Sequence, residues 1–120
     1  MRIAGICVLA ITLIAGGEAT AASSQYGTVD YGIDRPGHDI HHFELNPALY
    51  QGEFQCEDAC ERNPACRAWT FVKANSFTSG PNAGGKSHCW LKGRVPDPVP
   101  NNCCISGVHQ KRLKQDFIHR

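Results

Sequence analysis

A chain of 120 residues with a formal net charge of +1 and 42% hydrophobic residues has room for one small domain. Charge so close to balance excludes the broad basic surface that nucleic acid requires, so no nucleic-acid partner is expected. Seven cysteines in so short a chain point to covalent staples supporting a modest core, provided that the chain is exported to an oxidising compartment.

The first residues meet that condition. Met1 and Arg2 give a positive start, and Ile3 to Ala15 is a continuous apolar run. The run is shorter than the about 20 residues that span a bilayer. It is followed by Ala19-Thr20-Ala21-Ala22, a small-x-small pattern, so residues 1–22 read as a cleaved secretory signal. The product is expected to be secreted or periplasmic, with no membrane span. Cys7 lies within the apolar run and leaves with it. Six cysteines remain, Cys56, Cys60, Cys66, Cys89, Cys103 and Cys104, and an even number in an exported chain reads as a disulfide framework. Residues 23–30 are small and polar, an extended leader. Residues 31–109 hold all six cysteines and both tryptophans, and residues 110–120 form a basic tail.

Within the central part, Arg35 and Asp39 flank Pro36-Gly37, a turn signal, and are read as holding that turn. The segment GHDIHH offers His38, Asp39, His41 and His42 as potential ligands for zinc or copper. On a strand, however, His41 and His42 point to opposite faces, so polar positions on an edge strand are the preferred reading and no metal site is expected. Glu53 to Arg62 reads as a helix: acids lie near its start, Arg62 occupies its last turn, and Asn63-Pro64 ends it. Cys56 and Cys60 share one face of this helix. Positions four apart have Cβ atoms about 5 to 6 Å apart, too far for a disulfide, so each needs a partner beyond the helix.

Cys66 follows the turn and is the economical partner for Cys60. The run CRAWTFVK is rich in β-formers and reads as a central strand. Its successor, ANSFTSGPNAGGK, is a loop by composition; it lacks the spacing of a phosphate-binding loop. SHCWLK supplies a second strand with Cys89 and Leu91 assigned to its inner side, which makes Cys89 the natural mate for Cys56. Neighbouring Cys103 and Cys104 are different. A bond between them closes no chain loop, and adjacent Cα atoms about 3.8 Å apart fall below the usual disulfide range. Such a bond would stiffen a turn, present a hard apolar ring or serve as a labile redox couple. Linkage to another chain and a different pairing are the alternatives.

The segments YGIDRPGHDIHHFEL, CEDACERNPACRAWTFVK and HCWLKGRVPDPVPNNCCISGV, in that order, resemble the bacterial branch of the PAN/apple domain family. The resemblance covers about residues 31–109. It implies a small α+β module stapled by disulfides, with one helix packed on a mostly antiparallel sheet, and it supports the Cys56–Cys89 and Cys60–Cys66 pairings. Animal members often carry a third bridge joining the ends of the domain. No cysteine here lies between Ala22 and Cys56 to make it, and mutual pairing of Cys103 and Cys104 is the simplest arrangement that leaves no free thiol.

The resemblance also implies a non-catalytic module that binds an extracellular protein or carbohydrate, without a cofactor. The residues agree: Ser106-Gly107 lacks the nucleophile-elbow pattern, and no Cys and His pair sits in a protease signature. Trp69 is assigned to the core. Trp90 alternates with Cys89 and Leu91, so Trp90 and Lys92 are placed nearer the surface. Arg67, Trp90 and Lys92 are the candidates for a recognition face. The tail, with Lys111, Arg112, Lys114 and Arg120 against Asp116, reads as solvated rather than as a contact for a polyanion or anionic lipid. A monomer is expected. The alternative to simple binding is a redox-responsive protein, or a covalent dimer, built on Cys103 and Cys104.

Overall fold

The computed structural model describes residues 21–24, 26–46, 51–77, 79–80 and 83–119. Residues 1–20 of the expected signal segment lie outside them. The described chain forms strands β1 (Ala21–Ser23), β2 (Thr28–Asp34) and β3 (Asp39–Glu44), helix α1 (Gly52–Arg62), strands β4 (Ala68–Val72), β5 (His88–Lys92) and β6 (Val99–Val108), and helix α2 (Gln110–Ile118). The strands make one sheet in the order β1-β2-β6-β4-β5-β3, with every neighbouring pair antiparallel. The last strand in the chain thus lies in the middle of the sheet.

The period-two alternation of strands divides this sheet into two surfaces. On one, Trp69 and Phe71 of β4, Cys89 and Leu91 of β5, Ile105 of β6 and Val29 of β2 meet Cys56 and Cys60 of α1. The helix is only weakly amphipathic, and Glu53, Gln55 and Glu57 are buried along with its two cysteines. Its inward stripe therefore relies on sulfur bridges in place of large aliphatic side chains. Cys56 bonds Cys89 across to the sheet, and Cys60 bonds Cys66 beyond the helix end. That end is set at Asn63, whose side chain accepts from the backbone N–H of Ala65 at 3.1 Å. Trp69 lies against Gly107 on the adjacent strand, where a Cβ atom would come within 2.5 Å of the indole and 2.4 Å of the Thr28 carbonyl oxygen. No other residue fits that position without moving the ring or the neighbouring strand.

Two boundaries differ from the sequence reading. β1 takes in Ala21 and Ala22, the last residues of the stretch read as signal, with Ser23 of the leader; the leader also supplies the start of β2, and Val29, 3% exposed, belongs to the core. One buried valine among polar residues is too short a pattern to mark a strand in sequence. The stretch read as a solvated tail contains α2, which docks through polar contacts. The Arg112 guanidinium donates to the carbonyls of Cys60 at 2.7 Å and Cys66 at 3.0 Å, capping the turn that follows α1. His109, 4% exposed, caps α2 by accepting from the Arg112 N–H at 3.3 Å, and its other ring nitrogen pairs with Glu61.

The Glu61 pairing has a pH signature. The hydrogen bond from His109 holds the Glu61 carboxyl below its ordinary range, against an opposing effect of burial. A depressed carboxyl contributes stability that is present above its unfolded pKa and lost as pH falls through its folded pKa. Glu57 behaves in the opposite sense. Burial pushes its carboxyl up despite the Ser24 hydroxyl that donates to it at 2.5 Å, so its contribution is lost as pH rises through the folded pKa. The expected result, read as melting temperature between about pH 7 and pH 2, is that Glu61→Gln is destabilising at neutral pH and converges on the parent chain in acid. Glu57→Gln is expected to show its smallest deficit, or a gain, at neutral pH. Parallel profiles for Glu61→Gln and the parent chain would refute this assignment.

Candidate ligand-binding cavity

The sheet surface opposite α1 carries a different set of side chains. Strand register places Asp30 of β2 beside Ser106 of β6, Ser106 beside Thr70 of β4, Thr70 beside Trp90 of β5, and Trp90 beside His42 of β3. A carboxylate, two hydroxyls, an indole and an imidazole therefore form one transverse row over five strands. Two of its members stack: the His42 and Trp90 rings are 4.5 Å apart and inclined by 23°.

A cavity of about 230 Å³ opens on this surface. Thr70, Val72, Trp90 and Lys92 form its floor, and the turn Asp34–Gly37, Asp39 and Phe77 form its walls. Contrary to its alternation, Lys92 is not near the surface: it is 3% exposed, because the turn folds over it and the Gly37 carbonyl oxygen at 3.1 Å and an ion pair with Asp39 satisfy its ammonium group. That pair ties the start of β3 to the end of β5 where the register shifts by a bulge. Arg35 turns the other way: it donates to the Pro96 carbonyl at 2.9 Å and pairs with Asp30 at 3.3 Å. Arg35 and Asp39 thus hold the turn through separate partners. Counting Asp34, Asp39 and Lys92, the lining carries one more acid than base.

The hydroxyls in this row are under-used. Thr70 and Ser106, 1% and 0% exposed, have side-chain oxygens with no hydrogen-bond partner among the described residues. A buried hydroxyl left unpaired costs about 1 to 3 kcal/mol, so such atoms commonly mark a bound water or a ligand contact. The two lie side by side, and Thr70 is on the cavity floor.

Of the candidates read from sequence, Trp90 and Lys92 line the same cavity. Arg67 does not. Its guanidinium donates to Asp116 of α2 at 2.7 Å and to the Pro64 carbonyl at 2.7 Å, and it borders a separate hollow with Arg94 and Leu113. His41 pairs with Leu91 on the α1 side of the sheet, whereas His42 joins the transverse row. Cys103 and Cys104 are bonded to each other. Sequence reasoning missed Thr70, Ser106 and Asp34. For Thr70 a signal existed, since an apolar run with no polar side is buried on both faces, and a threonine within it must find a partner.

Comparison with known proteins adds one result. A family profile described as "PAN domain" matches residues 33–92, half of the chain. The match takes in β3, α1, β4 and β5, with Asp34, Asp39, His42, Thr70, Trp90 and Lys92, and leaves β6 outside. No curated protein and no solved structure matches at a significant level.

Proposed function

Since the chain belongs to the PAN domain family, whose members generally mediate protein or carbohydrate binding, we propose that it is an exported, non-catalytic module that binds a neutral sugar in the cavity opposite α1. The observation that supports this reading is the Thr70 hydroxyl, without a partner among the described residues, on the cavity floor beside Trp90. A pyranose offers hydroxyls that donate and accept, together with an apolar C–H face that packs on an indole. The cavity is smaller than the about 300 Å³ at which drug-sized sites begin, so it suits one terminal monosaccharide. The excess acid in its lining disfavours uronates, sialic acids and sulfated sugars.

Three disulfides favour an oxidising, extracellular setting. No helix among the described residues is long and apolar enough to cross a membrane.

The test is isothermal titration of the oxidised chain with a panel of neutral and acidic oligosaccharides, followed by Trp90→Ala and Thr70→Val. Saturable binding of a neutral glycan is expected, with a loss of about tenfold or more for Trp90→Ala, as is common for a buried aromatic anchor. Circular dichroism of each variant checks the fold. Binding that survives Trp90→Ala unchanged, or selectivity for acidic glycans, would sink the proposal.

A further inference from the structure

One cluster of chemically reactive groups stands apart from the glycan reading. A carboxylate oxygen of Asp34 and the sulfurs of Cys103 and Cys104 all lie within 4.8 Å of one another. Three features single this bridge out. Cys56, Cys60, Cys66 and Cys89 belong to the core cluster beneath α1, whereas Cys104, although 0% exposed, lies on the other sheet surface beside Val72, and Cys103 is half-buried. Its sequence separation is 1, so reopening it releases no chain loop, and its Cα atoms are 3.7 Å apart, short of the about 4.4 to 6.8 Å that disulfides prefer. Its neighbour is an acid held in place, since Asp34 Oδ1 accepts from the Arg35 N–H at 2.7 Å.

We propose that this bridge is a latent metal site: when a dithiol reductant opens it, Cys103, Cys104 and Asp34 bind one thiophilic divalent cation of the zinc and cadmium class. Opening is thiol exchange. A reductant thiolate attacks one sulfur and the other leaves as thiolate; the second thiol of the reductant then displaces the mixed disulfide. The protein gains two electrons and two protons, and the reductant becomes the disulfide. Metal binding follows, with two metal–sulfur bonds formed and two thiol protons released.

Sulfur and oxygen ligands about 2.3 and 2.1 Å from a tetrahedral ion are separated by roughly 3.5 to 3.8 Å, so the three groups reach ligand spacing by rotation of side chains once the sulfurs are released. Three protein ligands leave a fourth position for water or an added group. Asp34 also lines the cavity, which places that position next to it. This inference does not rest on sugar binding, because its site requires the reduced chain and the sugar test uses the oxidised one.

The experiment treats the folded full-length exported chain with limited dithiothreitol, removes the reductant anaerobically, and maps opened cysteines by alkylation and mass spectrometry. Cd²⁺ alone is then titrated while thiolate-to-metal absorbance and proton release are recorded. Expected are alkylation confined to Cys103 and Cys104, one Cd²⁺ per reduced chain with two protons released, and no absorbance band in the oxidised chain. Asp34→Asn should weaken Cd²⁺ by about tenfold or more, since even partners that only orient ligands cost that much when lost. Core cysteines opening first, absence of the band after reduction, or an unchanged affinity in Asp34→Asn would each overturn the proposal. Asp34→Asn retains both cysteines, so the test does not depend on a cysteine variant that fails to fold.

Discussion

Replacing Cys56 and Cys89 together by alanine is expected to lower the free energy of unfolding by roughly 3 to 4 kcal/mol, the value that chain entropy assigns to a bridge of this span. The two residues are 33 apart in sequence, and both are 0% exposed. Their bond joins α1 to β5, the strand that carries half of the cavity floor. The shorter Cys60–Cys66 bridge, with a separation of 6, constrains the unfolded chain less, and its double alanine variant should lose roughly 2 kcal/mol. Urea unfolding of both variants beside the parent chain, without reductant, measures the difference. A loss for Cys56→Ala/Cys89→Ala no larger than that for Cys60→Ala/Cys66→Ala would show that the helix is held to the sheet by packing and that the long bridge is secondary.

Trp69→Ala is the second large effect, expected at about 3 to 5 kcal/mol, the usual range for deleting a buried aromatic side chain. Trp69 is 2% exposed, lies in the core cluster with Cys56, Cys60 and Leu91, and rests on Gly107. Its removal leaves a hole that the bridged helix and the central strand have little freedom to fill. The check is denaturant unfolding followed by circular dichroism, with Trp90→Ala as the comparison. Trp90 lies on the cavity floor, outside that core cluster, so its loss should cost clearly less stability. A Trp69→Ala loss below about 1 kcal/mol would mean that the core rests almost entirely on the sulfur bridges.

The α+β class, helix α1 and strands β4 and β5 were legible in the sequence because each has a local cause. A cysteine pair at helical spacing stops at Asn63-Pro64, and two short β-rich runs flank a loop of glycine, serine and asparagine. The transverse row was not legible. Asp30, His42, Thr70, Trp90 and Ser106 come from five strands, and their alignment is fixed by register between segments distant in sequence. Alternation with Cys89 and Leu91 singled out Trp90 and Lys92, since that pattern is local. Arg67 could not be separated from them on the same grounds. Its partner Asp116 comes within reach only when α2 docks, and α2 docks largely through Arg112 and His109, polar contacts that leave no hydrophobic period to read.

Along β4, β5 and β6 the residues facing α1 carry odd numbers, from Trp69 to Gly107, and those of the opposite surface carry even ones, from Thr70 to Ser106. On the proposed reading, the ligand meets Thr70 on the cavity floor and the few half-buried or exposed members of the even set, such as Trp90, and the other buried members serve stability as the odd ones do. Exchanging Trp90 or His42, half-buried and exposed respectively, would rewrite what the surface offers to a ligand, whereas Val72 and His88 on the same surface are 4% and 7% exposed and belong to the packing. As a scaffold, the molecule is therefore suited to diversification at the half-buried and exposed positions of that surface, with the buried positions of both parities serving as an unchanging frame.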